Sequence, residues 1–96
     1  MGRCYLLSPR ARDDLDEIWD FSVESWGTEK AESYLRGLWI GIQAIADDPR
    51  RGRQFDLRPG YYRFSIGRHV LFFKPVDDGV HVIRILHQSM DFERHV

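Results

Sequence analysis

Two periods of apolar spacing divide the 96-residue chain, and one gives way to the other shortly after Pro49. Before it, Ala11, Leu15, Ile18, Trp19, Ser22 and Trp26 recur at helical spacing, while Asp13, Asp14, Asp16, Glu17 and Asp20 occupy the other faces. Ser8 is a good N-cap, and Pro9 suits the first helical position, where its missing N–H costs nothing. The acids near the start complement the helix dipole. An amphipathic helix ending at Gly27 is predicted. Thr28 is placed to cap a second helix, with apolar positions Ala31, Tyr34, Leu35, Leu38, Trp39, Ile42, Ile45 and Ala46. It stops before Pro49, because the residue preceding proline is pushed out of helical geometry. With only Gly27 and Thr28 between them, the two helices must form an antiparallel hairpin. Gly37 and Gly41 each weaken the second helix by roughly 1 kcal/mol relative to Ala, and their spacing points to close approach of the partner helix.

From Tyr61 onward the period is two. Tyr61 to Ile66, His69 to Lys74 and Val80 to His87 are β-branched and aromatic runs, separated by Gly67-Arg68 and by Asp77-Asp78-Gly79. They read as an antiparallel meander, with Asp78-Gly79 the stronger hairpin signal because Gly accepts positive φ. Cys4 to Leu7 is a short apolar segment that joins the same sheet as a first strand. Arg50 to Gly60 reads as a polar loop, and the tail from His87 to Val96 is too short to be a second unit. The predicted fold is α+β, in the order β-α-α-β-β-β. It is a single domain over 1–96, with a helical hairpin on one face of a mainly antiparallel four-stranded sheet.

Composition adds limits. Ninety-six residues support one modest core. Three Trp, four Tyr and six Phe give it large buried area. No apolar run reaches membrane-spanning length and no signal-peptide core opens the chain, so the cytoplasm is the expected compartment. Cys4 is the single cysteine, which excludes an internal disulfide; a buried, inert thiol is expected there. The four His follow no zinc-type spacing, and neither metal nor cofactor is expected. The net charge of −1 hides a segregation. Asp13 to Asp48 holds ten acids against Lys30 and Arg36, whereas Arg50 to Lys74 holds seven bases against Asp56 alone. Such a molecule attracts an anionic partner to one side.

Alternation sets Tyr62, Phe64 and Ile66 on one face and Tyr61, Arg63 and Ser65 on the other. In the last strand Ile83 and Ile85 oppose Val82, Arg84 and Leu86. With the aromatic face beneath the helices, Arg63 and Arg84 emerge together on the open face, where a guanidinium clamps phosphate or carboxylate. The alternative is that each bonds a neighbouring carboxylate or covers apolar surface with its stem. Val82 and Leu86 beside Arg84 make an apolar patch of the kind that awaits a partner.

The layout and several stretches together resemble the ParE toxins of the RelE/ParE superfamily. Tyr5-Leu6-Leu7-Ser8-Pro9-Arg10-Ala11 followed by Asp14-Leu15-Asp16-Glu17-Ile18-Trp19 is similar to that family's first strand and helix start, and Trp26-Gly27 to its break between helices. Arg58-Pro59-Gly60-Tyr61-Tyr62-Arg63, Gly67-Arg68-His69-Val70-Leu71-Phe72-Phe73 and Arg84-Ile85-Leu86-His87-Gln88-Ser89-Met90-Asp91 are similar to its later strands and its ending. The resemblance implies a RelE/ParE-like fold and a toxin held inactive, as a hetero-oligomer, by a ParD-type antitoxin. It also implies action on DNA gyrase, trapped while DNA is cut. Related RelE-type toxins instead cleave messenger RNA on the ribosome, and a fold alone does not choose between such activities. An inactive antitoxin-binding module is a third class.

On these grounds Arg63, Val82, Arg84 and Leu86 are the expected antitoxin contacts, with acidic residues on the antitoxin. Arg50, Arg51, Arg53 and Arg58 are the expected target or phosphate contacts, which would make binding salt-sensitive. A ribonuclease would draw on Arg63, Arg84 and His87 for charge and proton transfer. RelE-type enzymes bring lysines ahead of the second strand and a tyrosine after the last; here that loop has no lysine and the tail no tyrosine, which weighs against a nuclease.

Overall fold

A computed structural model describes residues 4–96; residues 1–3 of the expected domain lie outside the described residues. Strand β1 (Cys4–Leu7) leads into helix α1 (Pro9–Trp26), which is followed by helix α2 (Thr28–Asp47). A single 3-10 turn (Pro49–Arg51) precedes β2 (Arg53–Gln54), β3 (Tyr62–Ile66), β4 (His69–Val76) and β5 (Gly79–His87), and α3 (Phe92–His95) ends the chain. The sheet has five strands in the order β1-β5-β4-β3-β2. Among the described residues only the β1–β5 pair is parallel.

The helices form as the spacing predicts. Ser8 Oγ accepts the Ala11 N–H at 3.0 Å and caps α1. The cap of α2 differs from expectation: Gly27, with φ at 87°, stands at that position, and Thr28 is the first helical residue without a side-chain cap bond. The helical hairpin buries Leu15, Ile18, Leu35, Leu38, Ile42 and Ile45 against Leu71, Phe73, Val80, Val82 and Ile85 of the sheet. Gly41 serves the sheet and not the neighbouring helix, since a Cβ there would run into the side chain of Ile66 on β3. Gly37 meets nothing within 4 Å.

Three further readings are corrected. The sheet gains a fifth strand inside the expected loop, because Phe55 is buried there and its N–H bonds the Tyr61 carbonyl at 2.8 Å, pulling Arg53 and Gln54 alongside β3. Cys4 is exposed, because it begins an edge strand. The face opposite the helices also carries its own cover. Phe55, Val70, Phe72 and Leu86 form a second buried cluster, closed by Tyr61, Phe92 and Val96. Phe72 lies edge-on to both Phe55 and Phe92, at centroid distances of 5.0 and 4.9 Å. No helix of the described residues is long and apolar enough to cross a membrane.

The β4–β5 turn tests this packing. Gly79 has φ at 141°, and a Cβ on it would collide with the Cys4 carbonyl across the β1–β5 pair. Gly79→Ala is expected to lower unfolding free energy by about 2–3 kcal/mol, measured by urea denaturation. An unchanged midpoint would contradict the close approach.

Candidate functional site

Phe73 of β4 pairs with Val82, whereas Phe72 pairs with Arg84, so Ile83 is an extra residue in β5. Such a bulge shifts the alternation of everything beyond it. Val82 therefore joins Ile85 beneath the helices, while Arg84 and Leu86 lie on the opposite face with Phe72. Val82 and Leu86 are 0% and 1% exposed. The expected open apolar patch of Val82, Arg84 and Leu86 does not exist: the bulge sends Val82 inward, and the second cluster, closed by the C-terminal segment, encloses Leu86.

Arg84 is spoken for within the fold. Its Nε donates to Asp14 Oδ2 at 2.8 Å and its Nη2 to Asp14 Oδ1 at 2.9 Å, a bidentate pair, and Nη1 donates to the His95 carbonyl at 2.9 Å. The two side chains are 13% and 9% exposed. The Asp14 carboxylate pushes the guanidinium pKa further up, so Arg84 stays charged. Sequence reasoning weighed a carboxylate partner for Arg84, but it set Asp14 on the solvated side of α1.

Arg63 remains exposed. It pairs directly with Arg53 of β2 on one side and Phe72 of β4 on the other. Like charges directly opposite across two strands are destabilising unless something anionic lies between them. Among the described residues neither arginine has a carboxylate within ion-pair distance. Close by, Arg58 and Lys74 each lie 5.5 Å from the Tyr61 ring centroid. Arg53, Arg58, Arg63 and Lys74 thus gather at one end of the face opposite the helices. The fold brings Arg53 and Arg58 together with Arg63 and adds Lys74, a member of the basic half that is not among the expected contacts. Arg50 is held by Asp48, with Nε to Oδ1 at 2.9 Å, and Arg51 ends the 3-10 turn, exposed.

The ribonuclease set does not converge. Arg63 and Arg84 sit on strands separated by β4, about 10 Å apart, and His87 falls on the helix-side alternation beyond Leu86. His87 instead meets His69 edge-on at 5.4 Å and bonds Ser89 through Nδ1 at 2.7 Å. His69 Nδ1 is 2.6 Å from the Tyr34 hydroxyl, which also accepts the Arg68 N–H at 3.0 Å. Burial raises the Tyr34 pKa. Burial, followed by the neighbouring His87, pushes His69 down to about 4. These histidines line a cleft of about 430 Å³ with Ile18, Phe21, Trp26 and Met90. The grouping was hidden in the sequence, because Tyr34 and His69 are 35 positions apart on different elements.

The family model described as "ParE toxin of type II toxin-antitoxin system, parDE" matches residues 5–92. A protein named Toxin ParE1 from Mycobacterium tuberculosis (strain CDC 1551 / Oshkosh) is 46% identical over 100% of both chains. Another Toxin ParE1, from Caulobacter vibrioides, is 45% identical over 96% of each. A solved structure described as the chromosomal ParDE TA system from P. aeruginosa superposes with a TM-score of 0.79 at 20% identity, covering 90% of this chain and 96% of that one. That likeness is one of fold.

His69 supplies a pH dependence. Its folded pKa lies below the ordinary histidine value, so the unfolded chain takes up a proton between about pH 6.5 and 4 that the fold refuses. Its contribution to stability is fully present above pH 6.5 and is lost as pH falls through that window. His69→Gln is expected to flatten the decline of the urea midpoint between pH 6.5 and 4; a decline as steep as in the unsubstituted chain would refute the assignment.

Proposed function

The chain belongs to the ParE toxin family of type II toxin–antitoxin systems, and from that premise we propose that it stalls DNA gyrase on cleaved DNA. A ParD-type antitoxin holds it inactive in a cytoplasmic hetero-oligomer. Identity of 45–46% over 96–100% of the chain to two proteins named Toxin ParE1 supports the partnership. The observation that carries the target reading is the Arg53–Arg63 pair, two exposed guanidinium groups held side by side without a carboxylate between them. Together with Arg58 and Lys74 it offers an anionic partner a rigid set of donors on strands and on a tethered loop. Arg51 stands at the edge of the same loop, and Arg50 contributes less because Asp48 offsets its charge. Toxin action is then binding and obstruction, not bond cleavage, in keeping with Arg63, Arg84 and His87 lying apart.

The reading is tested with the purified chain, gyrase and supercoiled plasmid. Gyrase-linked, cleaved plasmid is expected, together with filamentous growth arrest when the chain is expressed alone. Arg53→Glu/Arg63→Glu lowers the cleaved product by about tenfold or more, as befits losing two charge-assisted contacts. Arg50→Gln, already offset by Asp48, changes it far less. No cleaved plasmid alongside ribosome-dependent cutting of messages would establish the RelE-type activity instead, and no growth arrest at all would leave an inactive antitoxin-binding module.

A further inference from the structure

Positive charge at the β2 end of the sheet is laid out in a row. Arg53 and Arg63 are direct cross-strand partners, about 5 Å apart at the backbone. Lys74 stands one strand further on and two residues along from the partner of Arg63, on the same side of the sheet, about 8 Å from Arg63. Arg58 and Lys74 both lie against the Tyr61 ring, 5.5 Å from its centroid. The loop that carries Arg58 is tied by three backbone bonds: the Phe55 N–H donates to the Tyr61 carbonyl at 2.8 Å, and the Arg58 and Tyr61 N–H groups donate to the Phe55 and Arg58 carbonyls at 3.1 Å. The four cations are exposed, and among the described residues none has an ion-pair partner. Strand pairing and loop bonds hold them in place before anything binds.

A protein surface and a nucleic acid make different demands on such a patch. Protein interfaces are depleted of charge at their centre and enriched there in aromatic side chains, whereas surfaces that meet DNA are strongly positive. Here the centre is charged, and the tethered loop exposes one large apolar side chain, Leu57. Phe21, Trp26 and Met90, apolar groups that a protein partner would seek, line the histidine cleft instead. Single-stranded nucleic acid calls for aromatic faces on which its bases stack, but Arg58 and Lys74 already occupy the Tyr61 ring. A duplex needs phosphate contacts alone and offers the densest row of them, about one charge per 1.7 Å of axis. We propose that Arg53, Arg58, Arg63 and Lys74 bind the phosphate backbone of duplex DNA directly, so that the chain holds the nucleic acid itself and not only the enzyme acting on it. The guanidinium forks match phosphate oxygens, and such contacts fix position without reading sequence. The exposed acids of α1, Asp13, Asp16 and Glu17, repel the same polyanion and so orient the chain on it. The inference rests on the target reading above, because it names the partner of the same cluster.

Fluorescence anisotropy of labelled duplexes of unrelated sequence, and of one of their single strands, tests the contact with the purified full chain. Both duplexes are expected to bind alike and to weaken by about 40–150-fold between about 50 and about 200 mM salt, as counterion release from three or four phosphates requires. Arg53→Glu/Arg63→Glu lowers the affinity at low salt by at least about tenfold. Lys74→Gln reduces the salt dependence by about one phosphate's share, and Arg36→Gln, exposed on α2, leaves binding as it is. No duplex binding at low salt, with cleaved plasmid still formed by gyrase and lost in Arg53→Glu/Arg63→Glu, assigns the cluster to an acidic surface of the enzyme; that result overturns the DNA contact and leaves the gyrase reading standing. Binding that survives Arg53→Glu/Arg63→Glu, or that is tighter for the single strand than for the duplex, also overturns it. Duplex binding with the expected salt dependence but no cleaved plasmid supports the contact and removes the gyrase reading.

Discussion

The carboxylate of Asp14 answers a problem that the sheet creates for itself. Strand β5 runs for nine residues, but β1 covers its outer edge only as far as Val82. Beyond that point, backbone groups of a buried strand need partners. The chain leaving β1 provides them in sequence. The Ser8 N–H bonds the Val82 carbonyl, the Ser8 hydroxyl donates to the Ile83 carbonyl at 2.6 Å, and Asp14 Oδ2 accepts the Ile85 N–H at 2.9 Å. Ser8 caps α1 with the same oxygen, so finishing the sheet edge and starting the helix are one event. A carboxylate this enclosed requires a counter-charge, and Arg84 supplies it while tying down the His95 carbonyl. Sheet, first helix and C-terminal segment meet in these two side chains.

That commitment shapes what is left for recognition. With Arg84 turned to Asp14, the free positive charge on the face opposite the helices gathers at its other end, around Arg53, Arg58, Arg63 and Lys74. The aromatic cluster of Phe55, Phe72 and Phe92 fills the ground between the two arginine positions and fixes the strands that carry them. On α1, Asp13, Asp16 and Glu17 are exposed, so the molecule offers opposite charge on different sides. An anionic partner is steered toward one of them.

Much of this was legible in the chain. Helical spacing, the Ser8-Pro9 start and the Asp78-Gly79 turn predict the elements closely, because each rests on local chemistry. The Tyr62, Phe64, Ile66 alternation also predicts which face of β3 meets the helices. What escaped depends on distant residues. The bulge at Ile83 leaves no mark in an unbroken β-branched run, yet it decides where Val82 points. Asp14 reads as a solvated acid on the outer side of a helix until the strand edge it serves is known. Phe55 reads as a loop residue until Phe72 is placed beneath it.

A double-mutant cycle at Asp14 and Arg84, followed by urea denaturation, addresses the central claim most directly. Asp14→Ala and Arg84→Met each strand a buried charge or its partners and are expected to cost about 3–5 kcal/mol. Together they should cost well under the sum, with a coupling of at least about 2 kcal/mol. Additive losses, or single losses near zero, would contradict an account in which this pair joins the sheet edge to the helix.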